Sequence, residues 1–140
     1  MMTNFDPLVG GILVFFGMTV VLVLWMLWRL RRRKGFEPKE LQYIKSHWIR
    51  IIDMFSGNPK GAILDADKLL DYALGKKGFE GHLGEKLKRA GGRFSDQNAV
   101  WSAHKLRNRI AHELDEIPMG EAKSALKNFK RALNDLGAKL

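Results

Sequence analysis

Cysteine is absent from this 140-residue chain. That absence excludes a disulfide framework, a cysteine-ligated zinc site, an iron–sulfur cluster and a thiol nucleophile. Three phosphate- and acyl-handling signatures are missing too: the Walker loop, the dinucleotide fingerprint and the Gly-x-Ser-x-Gly elbow. No stretch sustains the alternation of a half-buried strand, and there is no internal repeat. Acid is in short supply, with 15 Asp+Glu against 24 Lys+Arg and a formal net charge of +9. A basic balance points to polyanions, either nucleic acid or the anionic face of a membrane. The chain is 46% hydrophobic and 28% charged, a globular profile of at most one ordinary domain with an appendage.

Charge is also absent, locally, from the 21 residues Leu8 to Trp28, whose only hydroxyl is Thr19. As a helix this stretch measures about 31 Å, close to the hydrocarbon thickness of a bilayer. Trp25 and Trp28 stand at its C-terminal end, where indoles favour the headgroup region. Arg29, Arg31, Arg32, Arg33 and Lys34 follow at once, and only Asp6 precedes the stretch. Cations after the apolar run, with no small-residue cleavage site, speak against a signal peptide. The expectation is a single-pass anchor over 1–34 with its N-terminus outside, its C-terminal domain cytoplasmic, and the basic run at the membrane surface. No GxxxG occurs in the span, so it offers no signature of helix dimerisation. Setting residues 1–36 aside leaves 19 cations and 14 anions, a moderately basic domain.

A short linker at 35–40, carrying Gly35-Phe36-Glu37-Pro38, leads into a domain at 41–138. Leu41, Ile44, Trp48, Ile51 and Phe55 recur at spacings of 3, 4, 3 and 4, one face of a helix from about Lys39. Ser56-Gly57-Asn58-Pro59 ends it. A second helix, about Gly61 to Lys77, carries Ala62, Ala66, Leu69, Leu70, Ala73 and Leu74, with Gly78 as its C-terminal stop. A short piece spans His82 to Ala90. Ser95 reads as the N-cap of the next helix, Gln97 to about Glu113, with core face Val100, Ala103, Leu106, Ile110 and Leu114. Pro118 opens the last, striped by Ala122, Ala125, Leu126, Phe129, Leu133 and Leu136. The fold class expected is all-α: one transmembrane helix, then a four- to five-helix antiparallel bundle.

Most of the chemistry lies between Trp101 and Glu113. Trp101, His104, Asn108 and His112 follow at spacings of 3, 4 and 4, a polar and aromatic stripe flanked by Lys105, Arg107 and Arg109. Such a surface suits phosphodiester cleavage in RNA. A histidine can take the 2′-hydroxyl proton or protonate the leaving oxygen. An arginine can grip the phosphate through two N–H donors. Asn108, one turn before His112, is in reach to orient that ring. The 2′-hydroxyl is an internal nucleophile, so no metal and no cofactor is expected. Arg107 and His112 project about 140° apart on an ideal helix, so a second copy across a two-fold axis would complete the site.

The run Leu106-Arg107-Asn108-Arg109-Ile110-Ala111-His112-Glu113 resembles the signature of HEPN domains, an Arg, a polar residue, a few more residues and a His near a helix end. The resemblance implies a dimerising bundle of about five helices. In many members it is a metal-independent endoribonuclease with Arg and His meeting at the dimer interface. By the resemblance, Arg107 and His112 are catalytic and Asn108 supports them. Trp101, His104, Lys105 and Arg109 would contact RNA or line the interface. Some members carry a modifiable Tyr two residues after the His; here that position is Leu114.

Plainer readings stand beside this one. Arg107 suits an ion pair with an acidic residue on another helix, and His112 suits the dipole at a helix C-terminus. Trp101 and His104 suit packing at a helix crossing. The four histidines, His47, His82, His104 and His112, lack the close spacing of zinc motifs. Lys86, Lys88, Arg89 and Arg93 read as a solvated cationic cluster. The partners expected are the lipid bilayer, a second copy, RNA, and, on the alternative reading of a non-catalytic tethered adaptor, a protein.

Overall fold

A computed structural model describes residues 7–32, 35–113 and 116–140, with only the backbone given for 30–32. Arg33, Lys34, Asp6 and Leu114 therefore lie outside the described residues. The chain divides into two units, Met1–Lys34 and Gly35–Leu140. Among the described residues the regular structure is entirely helical.

The first unit contains α1, Pro7–Arg32. Within it Pro7–Arg29 is long and apolar enough to cross a membrane, and none of its most apolar stretch is buried by protein. A helix apolar on every face with nothing packed on it is what a lipid solvent, not water, stabilises. The Thr19 hydroxyl is internally satisfied, donating to the Phe15 carbonyl oxygen at 2.8 Å. The Arg29 guanidinium lies 5.3 Å from the centre of the Trp25 ring, a cation–π arrangement at the end of the span.

The second unit contains α2 (Pro38–Phe55), α3 (Pro59–Lys76), α4 (Leu83–Ala90), α5 (Gln97–His112) and α6 (Met119–Asp135), with a 3-10 turn at Gly91–Arg93. The helix starts lie within two residues of expectation. Pro38 and Pro59 each occupy a first helical position, where a missing N–H costs nothing. The helix begins at Pro38, so residues 38–40 are its first turn and the linker shortens to Gly35–Glu37. The Asn58 Oδ1 caps α3 by accepting from the Gly61 N–H at 2.8 Å. At the other end Gly78 takes φ +87°, the Gly78 N–H reaches the Gly75 carbonyl, and the Phe79 N–H reaches the Leu74 carbonyl. This is a Schellman stop, which favours glycine because a Cβ is strained in the left-handed region.

Two caps differ from expectation. His82 does not begin α4 but caps it, its Nδ1 accepting from the Glu85 N–H at 3.3 Å. Asp96, not Ser95, caps α5, its Oδ1 accepting from the Ala99 N–H at 2.9 Å. Ser95 instead donates through its N–H and its hydroxyl to Asp135 Oδ2, both at 2.8 Å. Two adjacent cap-forming residues compete for one position, and the acceptor that α6 supplies to Ser95 decides between them.

α3 is the central helix, packed against α2, α4, α5 and α6. Ala62, Ile63, Ala66, Leu69, Leu70, Ala73 and Leu74 are all buried, and the alanines let four neighbours approach closely. Val100, Ala103 and Leu106 of α5 and the full expected stripe of α6 join this core, with Phe129 inaccessible at its middle. One carboxylate, Asp67, is buried on the same helix. It faces α5, and the candidate site is built around it.

Candidate functional site

The apolar face of α5 turns Val100, Ala103 and Leu106 inward, which carries His104, Arg107 and Asn108 to the edge shared with α3. Asp67 projects from α3 at that edge. His104 Nδ1 lies 2.8 Å from Asp67 Oδ1. A carboxylate only accepts, so Nδ1 carries the hydrogen, and in the neutral ring Nε2 is then the acceptor. The Asn108 Nδ2 lies 3.4 Å from that Nε2, and the Asn108 Oδ1 accepts from Arg107 Nη1 at 3.1 Å. The circuit closes where Arg107 Nε lies 3.2 Å from Asp67 Oδ2. That last contact is an ion pair without hydrogen-bond alignment, since the Arg107 Nε–H has no aligned acceptor.

The four side chains thus form a ring in which each orients the next. Burying Asp67 alone would be costly; a cation on one oxygen and an N–H on the other offset that cost. The consequence for Arg107 is positional. Its Nε stands beside Asp67 and its Nη1 donates to Asn108, which leaves the Nη2 donors outside these two contacts. The Arg107 side chain is partly exposed.

The ring lines one wall of a cleft of about 510 Å³ bounded also by Lys68, Asp71, His82, Leu83 and Gly84. Asp71 is matched by Lys86, whose buried ammonium lies 2.8 Å from Asp71 Oδ1 and 3.3 Å from the Asp71 carbonyl oxygen. Each carboxylate in the cleft has its own cation. Lys68 stands on the rim, with Asp65 at 3.6 Å in an exposed pair.

The residues singled out in the sequence divide accordingly. Arg107 and Asn108 come together. His112, the last residue of α5, is exposed one helical turn beyond Asn108, and no contact joins it to the ring. Asn108 does not turn forward to His112; its amide turns back one helical turn to His104, because His104 offers an acceptor already fixed by Asp67. Trp101 meets His104 edge-on at 5.9 Å and packs against the core, and both rings are partly buried. Arg109 reaches Glu121 of α6 with two bonds of 2.9 and 3.1 Å. Lys105 is exposed. Asp67 was not among the candidates from sequence: it lies 37 residues before His104, inside a helix whose stripe reads as apolar. The one available signal was an acid at a stripe position.

Among the described residues no group of three or more His, Asp or Glu side chains is placed to hold a metal ion. No family model, no curated protein and no solved structure matches this chain.

Proposed function

We propose that this protein is a single-pass membrane protein, N-terminus outside, whose cytoplasmic bundle binds RNA as a homodimer and cleaves it without a metal. In this reading Arg107 binds the scissile phosphate. His112 of one copy and Arg107 of the other share a cleft across the two-fold axis, and His112 moves the proton to or from the reacting oxygens. The 2′-oxygen attacks phosphorus, the 5′-oxygen leaves, and the proton lost by the first is matched by one gained by the second. Asn108 supports Arg107 by holding Nη1.

One observation carries the reading: Arg107 is held by an ion pair to Asp67 and a hydrogen bond to Asn108 while its side chain stays partly exposed. A guanidinium so held has already lost the freedom that phosphate binding would otherwise cost. The HEPN-like run at 106–113 and the five-helix domain support the same reading. The cations that follow the apolar span support the orientation.

The test is cleavage of single-stranded RNA by the full chain in detergent micelles with EDTA present, beside Arg107→Ala and His112→Ala. The expected result is cleavage by the parent and at least a hundredfold loss in each variant, on the scale of a lost acid–base or electrostatic group. A folded, dimeric parent that leaves RNA intact removes the enzymatic reading. A second reading, a non-catalytic adaptor for a protein partner, is favoured by Ile49 and Ile52, which are 60% and 47% exposed on the outer face of α2.

A further inference from the structure

The aromatic residues of α5 are partly buried, and a second aromatic group lies across α3. Tyr43 of α2 is 41% exposed. Its ring is 3.8 Å from the centre of the His47 ring, nearly parallel at 28°, and 4.4 Å from that of Tyr72 on α3. His47 is locked in this stack, its Nδ1–H donating to the Tyr43 carbonyl at 2.8 Å. The three rings belong to a cleft of about 650 Å³ that also includes Arg50, Met54 and Lys68. Asp53 and Asp65 complete its polar rim.

Lys68 belongs to both clefts. On α3, at about 100° per residue, it falls between Asp71, which faces the Arg107 cleft, and Tyr72, which faces the aromatic one. A strand leaving Arg107 over the crest of this single helix therefore meets a cation and then a stack of rings. Among the described residues Lys68 pairs with Asp65, in an exposed i,i+3 pair that contributes little and yields readily to a phosphate.

We propose that Tyr43, His47 and Tyr72 form a nucleobase platform, and that Lys68 guides the single-stranded RNA backbone from it to Arg107. The inference rests on the RNA reading above and adds to it a substrate class: unpaired RNA, recognised by stacking as well as by phosphate. Stacking suits any base, because every base has a π-face, so the platform selects single strands over duplex without selecting sequence. The rings are already stacked in the free protein, so little ordering is needed when a base joins them.

The test uses the full chain in micelles with two fluorescent probes of equal length: a 2′-O-methyl single strand, which lacks the internal nucleophile, and the same backbone without bases. The parent is expected to bind the base-bearing strand more tightly. Tyr43→Ala should weaken that strand about 5- to 150-fold, the range for one lost base stack, and leave the bare backbone unchanged. Tyr43→Leu, which keeps apolar packing, should behave like Tyr43→Ala, and Tyr43→Trp should restore the preference. Equal binding of both probes by the parent, or equal weakening of both by either substitution, overturns the platform while the phosphate reading stands. Failure of the parent to bind either probe overturns both.

Discussion

Asp67 sits where an apolar residue would be the default, and its two oxygens hold His104 and Arg107 in place. Replacing it with alanine would leave an arginine and a histidine facing an empty acceptor site. The expected cost is about 2–4 kcal/mol, below the full range for a broken buried pair because Arg107 is partly exposed. Chemical denaturation would measure it, and a loss under about 0.5 kcal/mol, the level of an ordinary surface change, would mean that the ring does not stabilise the fold. Lys77 makes a second residue-scale case. Burial holds its ammonium below the usual lysine value of 10.5, Arg93 pushes it further down, and Glu40 pulls it back. The folded state therefore binds fewer protons than the unfolded chain between that lowered value and 10.5. Stability should rise with pH across this window as a result, and Lys77→Met should remove that increment from unfolding curves recorded at a series of pH values.

At the scale of elements, punctuation and periodicity in the sequence located the helices closely. Three of the prolines occupy first helical positions or the cap before one, at Pro38, Pro59 and Pro118. The Gly78 stop falls where expected. The start of α5 at Gln97 is as expected, but its cap is Asp96 and not Ser95: both are good caps, and only the position of Asp135 on α6 separates them. Asp96→Ala should cost about 1 kcal/mol as a lost N-cap, with a smaller further loss from its 3.3 Å exposed contact with Arg131. Asp96→Asn should recover most of the cap, and thermal melts of the two variants would separate the contributions. Phe129→Ala tests the core that α6 shares with α3 and α5. Its side chain is wholly buried, so the loss should be about 3–5 kcal/mol.

For the whole molecule, the feature that organises everything else is the uncharged stretch of α1 from Leu8 to Trp28. A chain without native cysteine allows its orientation to be read cleanly. Thr3→Cys in the N-terminal tail should react with a membrane-impermeant maleimide on intact cells. Ser124→Cys, at an exposed position on α6, should react only after lysis. The reverse pattern would place the bundle outside, away from cytoplasmic RNA, and remove the proposed setting of the site.

The sequence by itself determined the apolar span, the all-helical class, most helix limits and the apolar stripes of α3 and α6. These are local properties: hydropathy, periods of 3.6 and capping chemistry all act within a few residues. It also singled out Arg107, Asn108 and His112, since a short motif is local too. Tertiary structure decided what those residues touch. Asp67 reaches His104 and Arg107 across a helix pair, Asn108 turns back rather than forward, Trp101 packs against the core, and Tyr43, His47 and Tyr72 gather where α2 meets α3. Each of these outcomes depends on which residues α3 meets on its neighbours, and contacts between residues far apart in the chain leave no periodic mark in it.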